Sequence, residues 1–127
     1  MSWNFEMFNV KRAYEPATKG DGVRVLVDRL WPRGRSKADL KIDHWLKDVA
    51  PSPSLRKWFN HDPEKWKEFR ERYARELNDN REAVEPLLDL RAKTVTLVFA
   101  ARDTEHNNAV ALAGYLEKAA RGKRARK

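Results

Sequence analysis

The chain is predicted to be a single α/β domain built on a small, mainly parallel sheet flanked by helices. Three observations predict it. Val23–Val27 and Val95–Ala100 are β-branched apolar runs that each stop abruptly at charged residues. Between them, apolar residues recur at three- and four-residue steps, the period of a helix with one buried face. The second run is almost continuously apolar, as in a strand covered on both faces of a parallel sheet. Strands joined through long helical crossovers give an α/β architecture.

In chain order, residues 7–12 read as a first strand with partial alternation. Residues 16–22 (PATKGDG) form a turn-rich loop, in which Asp21-Gly22 closes a tight connection. Val23–Val27 is the second strand, and Arg24 inside it argues against a fully central position. Residues 32–42 read as an irregular loop, and residues 42–49 as a short helix ended by Pro51 and Pro53. Ser54 then caps a turn that presents Leu55, Trp58 and Phe59. Asp62, Pro63 and Glu64 suit the start of a helix as cap, first residue and dipole partner. Trp66, Phe69, Tyr73 and Leu77 supply its apolar stripe, with Glu68–Arg72 and Glu71–Arg75 as outer i,i+4 pairs. Asn78-Asp79-Asn80 interrupts, and a second helix follows through Val84, Leu87 and Leu88, kinked or delayed by Pro86. Val95–Ala100 is the last strand. Thr104 is expected to cap a last helix with Val110, Leu112, Ala113, Leu116 and Ala120 inside.

Composition narrows the chemistry. At 127 residues with 41% hydrophobic content, the chain is long enough for one self-sufficient core. The absence of cysteine removes disulfides, thiolate metal sites and thiol nucleophiles. The first residues lack the charged-then-apolar pattern of a leader, and no apolar stretch approaches the ~20 residues that span a bilayer. The expectation is a cytoplasmic protein without membrane contact. Of the formal charge of +8, five positive charges lie in the last seven residues; removing those five leaves +3 on residues 1–120. Residues 1–120 are therefore expected to form the domain. Residues 121–127 read as a basic, disordered tail that either aids solubility or binds nucleic acid weakly.

In open α/β sheets ligands bind beyond the carboxyl ends of the strands. The second and last strands end there in Asp28, Arg29, Trp31 and Arg33 on one side, and in Arg102, Asp103, Thr104, His106 and Asn107 on the other. Arg29, Arg33 and Arg102 match phosphate or carboxylate geometry. The N-terminus of the last helix, at Thr104 or Glu105, adds free N–H donors for the same anion. In an enzyme, Asp28 and Asp103 orient the arginines, and His106 in the first helical turn acts as acid or base. The structural alternative pairs Asp28 with Arg102 and Arg29 with Asp103 simply to hold the loops in register. Asn107 is placed to bond back to the Thr104 backbone as a weak capping box. Trp31 either packs as a lid or stacks on a ligand. His44, His61 and His106 lack the spacing of a metal motif, and no glycine-rich phosphate loop or cofactor fingerprint is present.

Three stretches carry a family resemblance: VLVDRLWPRG, LKDVAPSPSLRKWFNHDPEKWKEFRERYARELNDN and TLVFAARDTEHNNAVALAGYL. In this order they resemble the YeaO-like branch of the domain-of-unknown-function 488 family, over about residues 7–118. The resemblance implies a Rossmann-like α/β domain in a bacterial or archaeal cytoplasmic protein, and no established activity. The wider family looks similar at both strand ends. Its Asp-Arg and Pro-Arg motifs fall on Asp28-Arg29 and Pro32-Arg33. Its second strand, ending near a cysteine and an acidic residue, falls on Ala100–Asp103, where this chain has no cysteine. Any thiol mechanism of relatives therefore does not carry over. Some YeaO-like sequences are labelled MarR-type regulators, but the element order here is not that of a winged helix. Three functions follow as expectations: an anion-binding cleft, a nucleic-acid-binding accessory protein using the tail with Trp31 and Arg33, or an interaction domain without a ligand.

Overall fold

The computed structural model describes residues 8–90 and 93–125, with side chains through Ala120. Four strands, β1 (Phe8–Arg12), β2 (Val23–Leu26), β3 (His44–Trp45) and β4 (Val95–Phe99), form one sheet in the order β1-β4-β2-β3. Every pairing is parallel. The helices are α1 (Lys37–Leu40), α2 (Pro53–Phe59), α3 (Trp66–Asp79), α4 (Arg81–Asp89) and α5 (Asn108–Ala125). The expected tail concerns residues 121–127, whose side chains lie outside the described residues.

β4 is interior, and all five of its residues are buried, which explains its unbroken apolar run. Alternation then divides the core. Val25 and Val27 of β2 and its continuation, with Val95, Leu97 and Phe99 of β4, face the larger cluster with α3, α4 and α5. Leu26 and Val98 point the other way, to a thin cluster with Ala13 and Leu40, edged by Tyr14, Trp31, Ile42 and Trp45. Helices thus cover one face thickly, while loops and the single turn of α1 cover the other.

Three expectations are corrected. Residues 42–49 are not a helix: His44-Trp45 pairs with Val25-Leu26, and only Lys47–Val49 coils, as a 3₁₀ turn. The backbone N–H groups of Asp43 and Leu46 donate to the Arg24 and Leu26 carbonyls and satisfy the open edge of β2, a tertiary demand that local periodicity does not reveal. The 32–42 loop contains α1, capped by Ser36, whose hydroxyl accepts the Asp39 N–H at 3.1 Å. β2 lies between β4 and β3 despite Arg24, because two of that side chain's three nitrogens are paired internally, Nη2 alone being left without a partner. Its Nη1 meets Asp21 at 2.6 Å and its Nε donates to the Leu40 carbonyl at 2.8 Å.

Asp21 is a node in its own right. Its carboxylate accepts from Lys11, Arg24, and the Thr18 N–H and hydroxyl, while Thr96 donates to its main-chain oxygen. Burial works to raise its pKa, but these donors outweigh it and hold the group at about 2. Gly22 follows at φ 65°, and a Cβ there would collide with the Thr94 carbonyl.

A lowered carboxyl pKa stabilises the fold above the unfolded value of 3.8 and stops doing so as pH falls towards 2. Asp21→Asn is expected to lower unfolding free energy by about 2 kcal/mol at pH 7, with wild type and variant converging in denaturation curves near pH 2. Gly22→Ala is expected to lower the melting temperature at every pH, since its cause is steric.

Candidate functional site

β2 and β4 are neighbours in register, with Leu26 opposite Val98, so their carboxyl ends emerge side by side. Asp28 closes that junction. Its Oδ2 accepts the Ala100 N–H at 2.9 Å and its Oδ1 accepts the Asn108 amide at 3.0 Å. Asn108 also donates to the Val27 carbonyl, and the Trp45 indole donates to that of Asp28. One carboxylate therefore ties two strand ends to the start of α5. Burial pushes the Asp28 carboxyl above the usual range; the Asn108 and Ala100 donors and the Arg56 charge act in the opposite direction without cancelling it.

The last helix starts later than its sequence implies. Asn107 is the cap: its Oδ1 accepts the Val110 N–H at 2.9 Å and its main-chain oxygen accepts from Ala111. Its amide donates to the Asp103 carbonyl rather than to Thr104. Thr104 is displaced as cap because Asp103 captures the following N–H groups, those of Glu105 and His106, at 2.9 and 3.0 Å. His106 consequently precedes the helix instead of lying in its first turn. Its Nδ1 lies 2.9 Å from Asp103 Oδ2, and its ring stands edge-on to Trp66 at 5.3 Å. Burial opposes ionisation of Asp103, but the Glu105 N–H, the His106 ring and the His106 N–H hold its carboxyl below the ordinary range.

A cleft of about 890 Å³ opens at this edge. Asp28, Arg29, Trp31, Arg33, His106 and Asn107 line it, so six of the nine residues selected by sequence come together. Arg102, Asp103 and Thr104 do not line it; Arg102 and Thr104 are exposed, and Asp103 acts behind His106. Asp28 accepts from Ala100 and Asn108, not from Arg102. Trp31 packs edge-on against Trp45 at 5.3 Å and donates to the Arg35 carbonyl at 2.6 Å, while still contributing to the wall.

The opposite wall was not foreseen. It comes from α2 and its exit: Arg56, Lys57, Phe59, Asn60 and His61. Asn60 and His61 both have positive φ, 47° and 55°, which turns the chain sharply under the cleft. The only sequence signal was a cation pair set between the inward-facing Leu55 and the aromatic Trp58-Phe59. Among the described lining residues, four cationic side chains (Arg29, Arg33, Arg56, Lys57) share the cleft with one carboxyl group, that of Asp28. The Arg29 Nε is buried and has no hydrogen-bond acceptor.

Among the described residues, no cluster of three or more His, Asp or Glu gathers for a metal. Nor is any helix there long and apolar enough to cross a membrane.

Comparison with known proteins gives a consistent result. The profile of the family described as "Inactive DUF488-N3 subclade" matches residues 7–127. The uncharacterized protein YeaO of Escherichia coli (strain K12) is 44% identical over 107 residues, covering 84% of this chain and 93% of that protein. The uncharacterized protein Rv3073c of Mycobacterium tuberculosis (strain ATCC 25618 / H37Rv) is likewise 44% identical over 107 residues, covering 84% of this chain and 91% of that protein. No solved structure matches.

Two outcomes follow from the geometry. Asn107→Ala removes the cap of α5 and is expected to cost about 1 kcal/mol in chemical denaturation. A carboxyl raised in the folded state stabilises it progressively as pH falls through the raised value, fully so below the unfolded value of 3.8. The stability of wild type relative to Asp28→Asn should therefore grow between pH 7 and pH 4, the reverse of Asp21→Asn.

Proposed function

For a chain that belongs to the inactive DUF488-N3 subclade, we propose that the cleft binds a small phosphate-class anion and does not turn it over. The observation that carries this reading is the unbalanced charge of the cleft wall, with the Arg29 Nε buried and lacking an acceptor. A buried donor without a partner costs about 1–3 kcal/mol, which an arriving oxyanion would recover. Arg29 and Arg33 come from the segment after β2, and Arg56 and Lys57 from α2, so two walls converge on the same volume. Arg56 is close enough to Asp28 to act on its ionisation, which puts a guanidinium near the junction of the strands.

The absence of cysteine and the subclade's description favour binding over covalent chemistry. His106, steadied by Asp103, then serves as a hydrogen-bond partner of the ligand. A second reading makes the same pair acid/base machinery, on the strength of its 2.9 Å contact. Under that reading a phosphate ester is consumed, and His106→Gln stops its consumption while leaving binding in place.

The test is titration of the full chain with inorganic phosphate and pyrophosphate, followed by calorimetry and thermal shift. Binding is expected to weaken with ionic strength. Arg29→Ala and Arg56→Ala are expected to weaken it by about ten- to a hundredfold, whereas Arg102→Ala, outside the cleft, leaves it unchanged. An unmoved melting temperature with both anions would discard the reading.

A further inference from the structure

The cations occupy only part of the cleft. Its floor is apolar: Phe59 and Phe69 line it together with Ala50 and Pro51. The two phenyl rings stack with centroids 4.3 Å apart, and Phe69 stacks in turn on Trp66 at 5.7 Å. Trp66 is the ring against which His106 stands, so the polar wall and the aromatic floor are one continuous packed unit. At the rim, Leu30 lines the same cleft and is 69% exposed, in contrast to the buried apolar side chains of the core. It sits between Arg29 and Trp31 in the chain, next to the cations.

Size adds to this. A volume of about 890 Å³ lies at the upper end of the range that holds organic ligands, and inorganic phosphate would leave most of it empty. Four cationic side chains against one carboxyl group suit a dianion better than a monoanion. An apolar floor beneath a cationic rim suits a ligand whose two ends differ in the same way.

We infer that the ligand is a phosphate monoester of a flat, apolar ring system, with the phosphate at the Arg29–Arg56 wall and the ring packed under Leu30 on the apolar floor. The inference rests on the anion reading above and deepens it. Packing the ring against the exposed Leu30 side chain removes apolar surface of both from water. The ring therefore contributes affinity that the anion alone lacks.

The experiment compares the full chain binding inorganic phosphate, phenyl phosphate and phenol by calorimetry at fixed salt and pH. Phenyl phosphate is expected to bind at least tenfold more tightly than inorganic phosphate, and phenol to bind far more weakly than either. Leu30→Ala, at an exposed position that leaves the core intact, should reduce the phenyl phosphate advantage severalfold without altering the affinity for inorganic phosphate. Equal affinities for phosphate and phenyl phosphate would overturn this inference while leaving the anion reading standing. No binding of either would overturn both, and phenol binding as tightly as phenyl phosphate would show that the cations are not used.

Discussion

The site depends on the carboxylate of Asp28. A carboxyl group out of water must find donors or give up its charge, and Asp28 finds them on two other elements, the Ala100 N–H of the β4 exit and the Asn108 amide at the head of α5. Those bonds hold the ends of β2 and β4 and the start of α5 in one fixed relation. The residues that follow each of them, Arg29 to Arg33 and the turn before Asn108, then have no choice but to face a common space. Burial raises the carboxyl above its ordinary range, and the Asn108 and Ala100 donors and the Arg56 charge oppose that rise.

Charge is arranged in the opposite way at the other end of the sheet. Asp21, Arg24 and Lys11 form an ion-pair set at the far end, with the buried Arg24 Nη2 left without a partner. At the carboxyl edge the lining cations outnumber the lining carboxylate, and the buried Arg29 Nε lacks an acceptor. The same residue types thus pair across the chain at one end and gather as an excess of positive charge at the other. Net charge alone does not reveal this difference, since it counts both sets alike.

Much of the architecture was legible in the sequence for physical reasons that can be named. The unbroken apolar run of β4 could only be an interior strand, and Asp62-Pro63 before the Trp66–Leu77 stripe could hardly be anything but a helix entry. Asp62 does accept the Glu64 N–H, and Trp66, Phe69, Tyr73 and Leu77 are all buried. What local pattern could not carry was set by distant partners. β3 has two residues and exists because β2 needs a neighbour. The start of α5 moved because Asp103 competes with Thr104 for the same N–H groups. Half of the cleft was legible because it follows two strong strands. The other half was not, because Arg56 and Lys57 lie on an ordinary amphipathic helix, and only the tertiary fold turns that helix's polar side towards Asp28.

The unequal covering of the sheet has a consequence for how the molecule opens. The wall bearing Arg29, Trp31 and Arg33 rests on the thin cluster of Ala13, Leu26, Leu40 and Val98, fastened by the Tyr14 hydroxyl to the Arg33 carbonyl and by the Trp31 indole to that of Arg35. The wall bearing Arg56 and Lys57 belongs to α2, which packs on α3 and the main core. Cooperative units of a fold separate in order of the apolar surface each must expose. The two halves of the cleft therefore rest on different clusters, and the bank on the thin cluster has less apolar surface to expose on opening. A ligand bridging them would lower the amide exchange of the thin bank far more than that of the thick one.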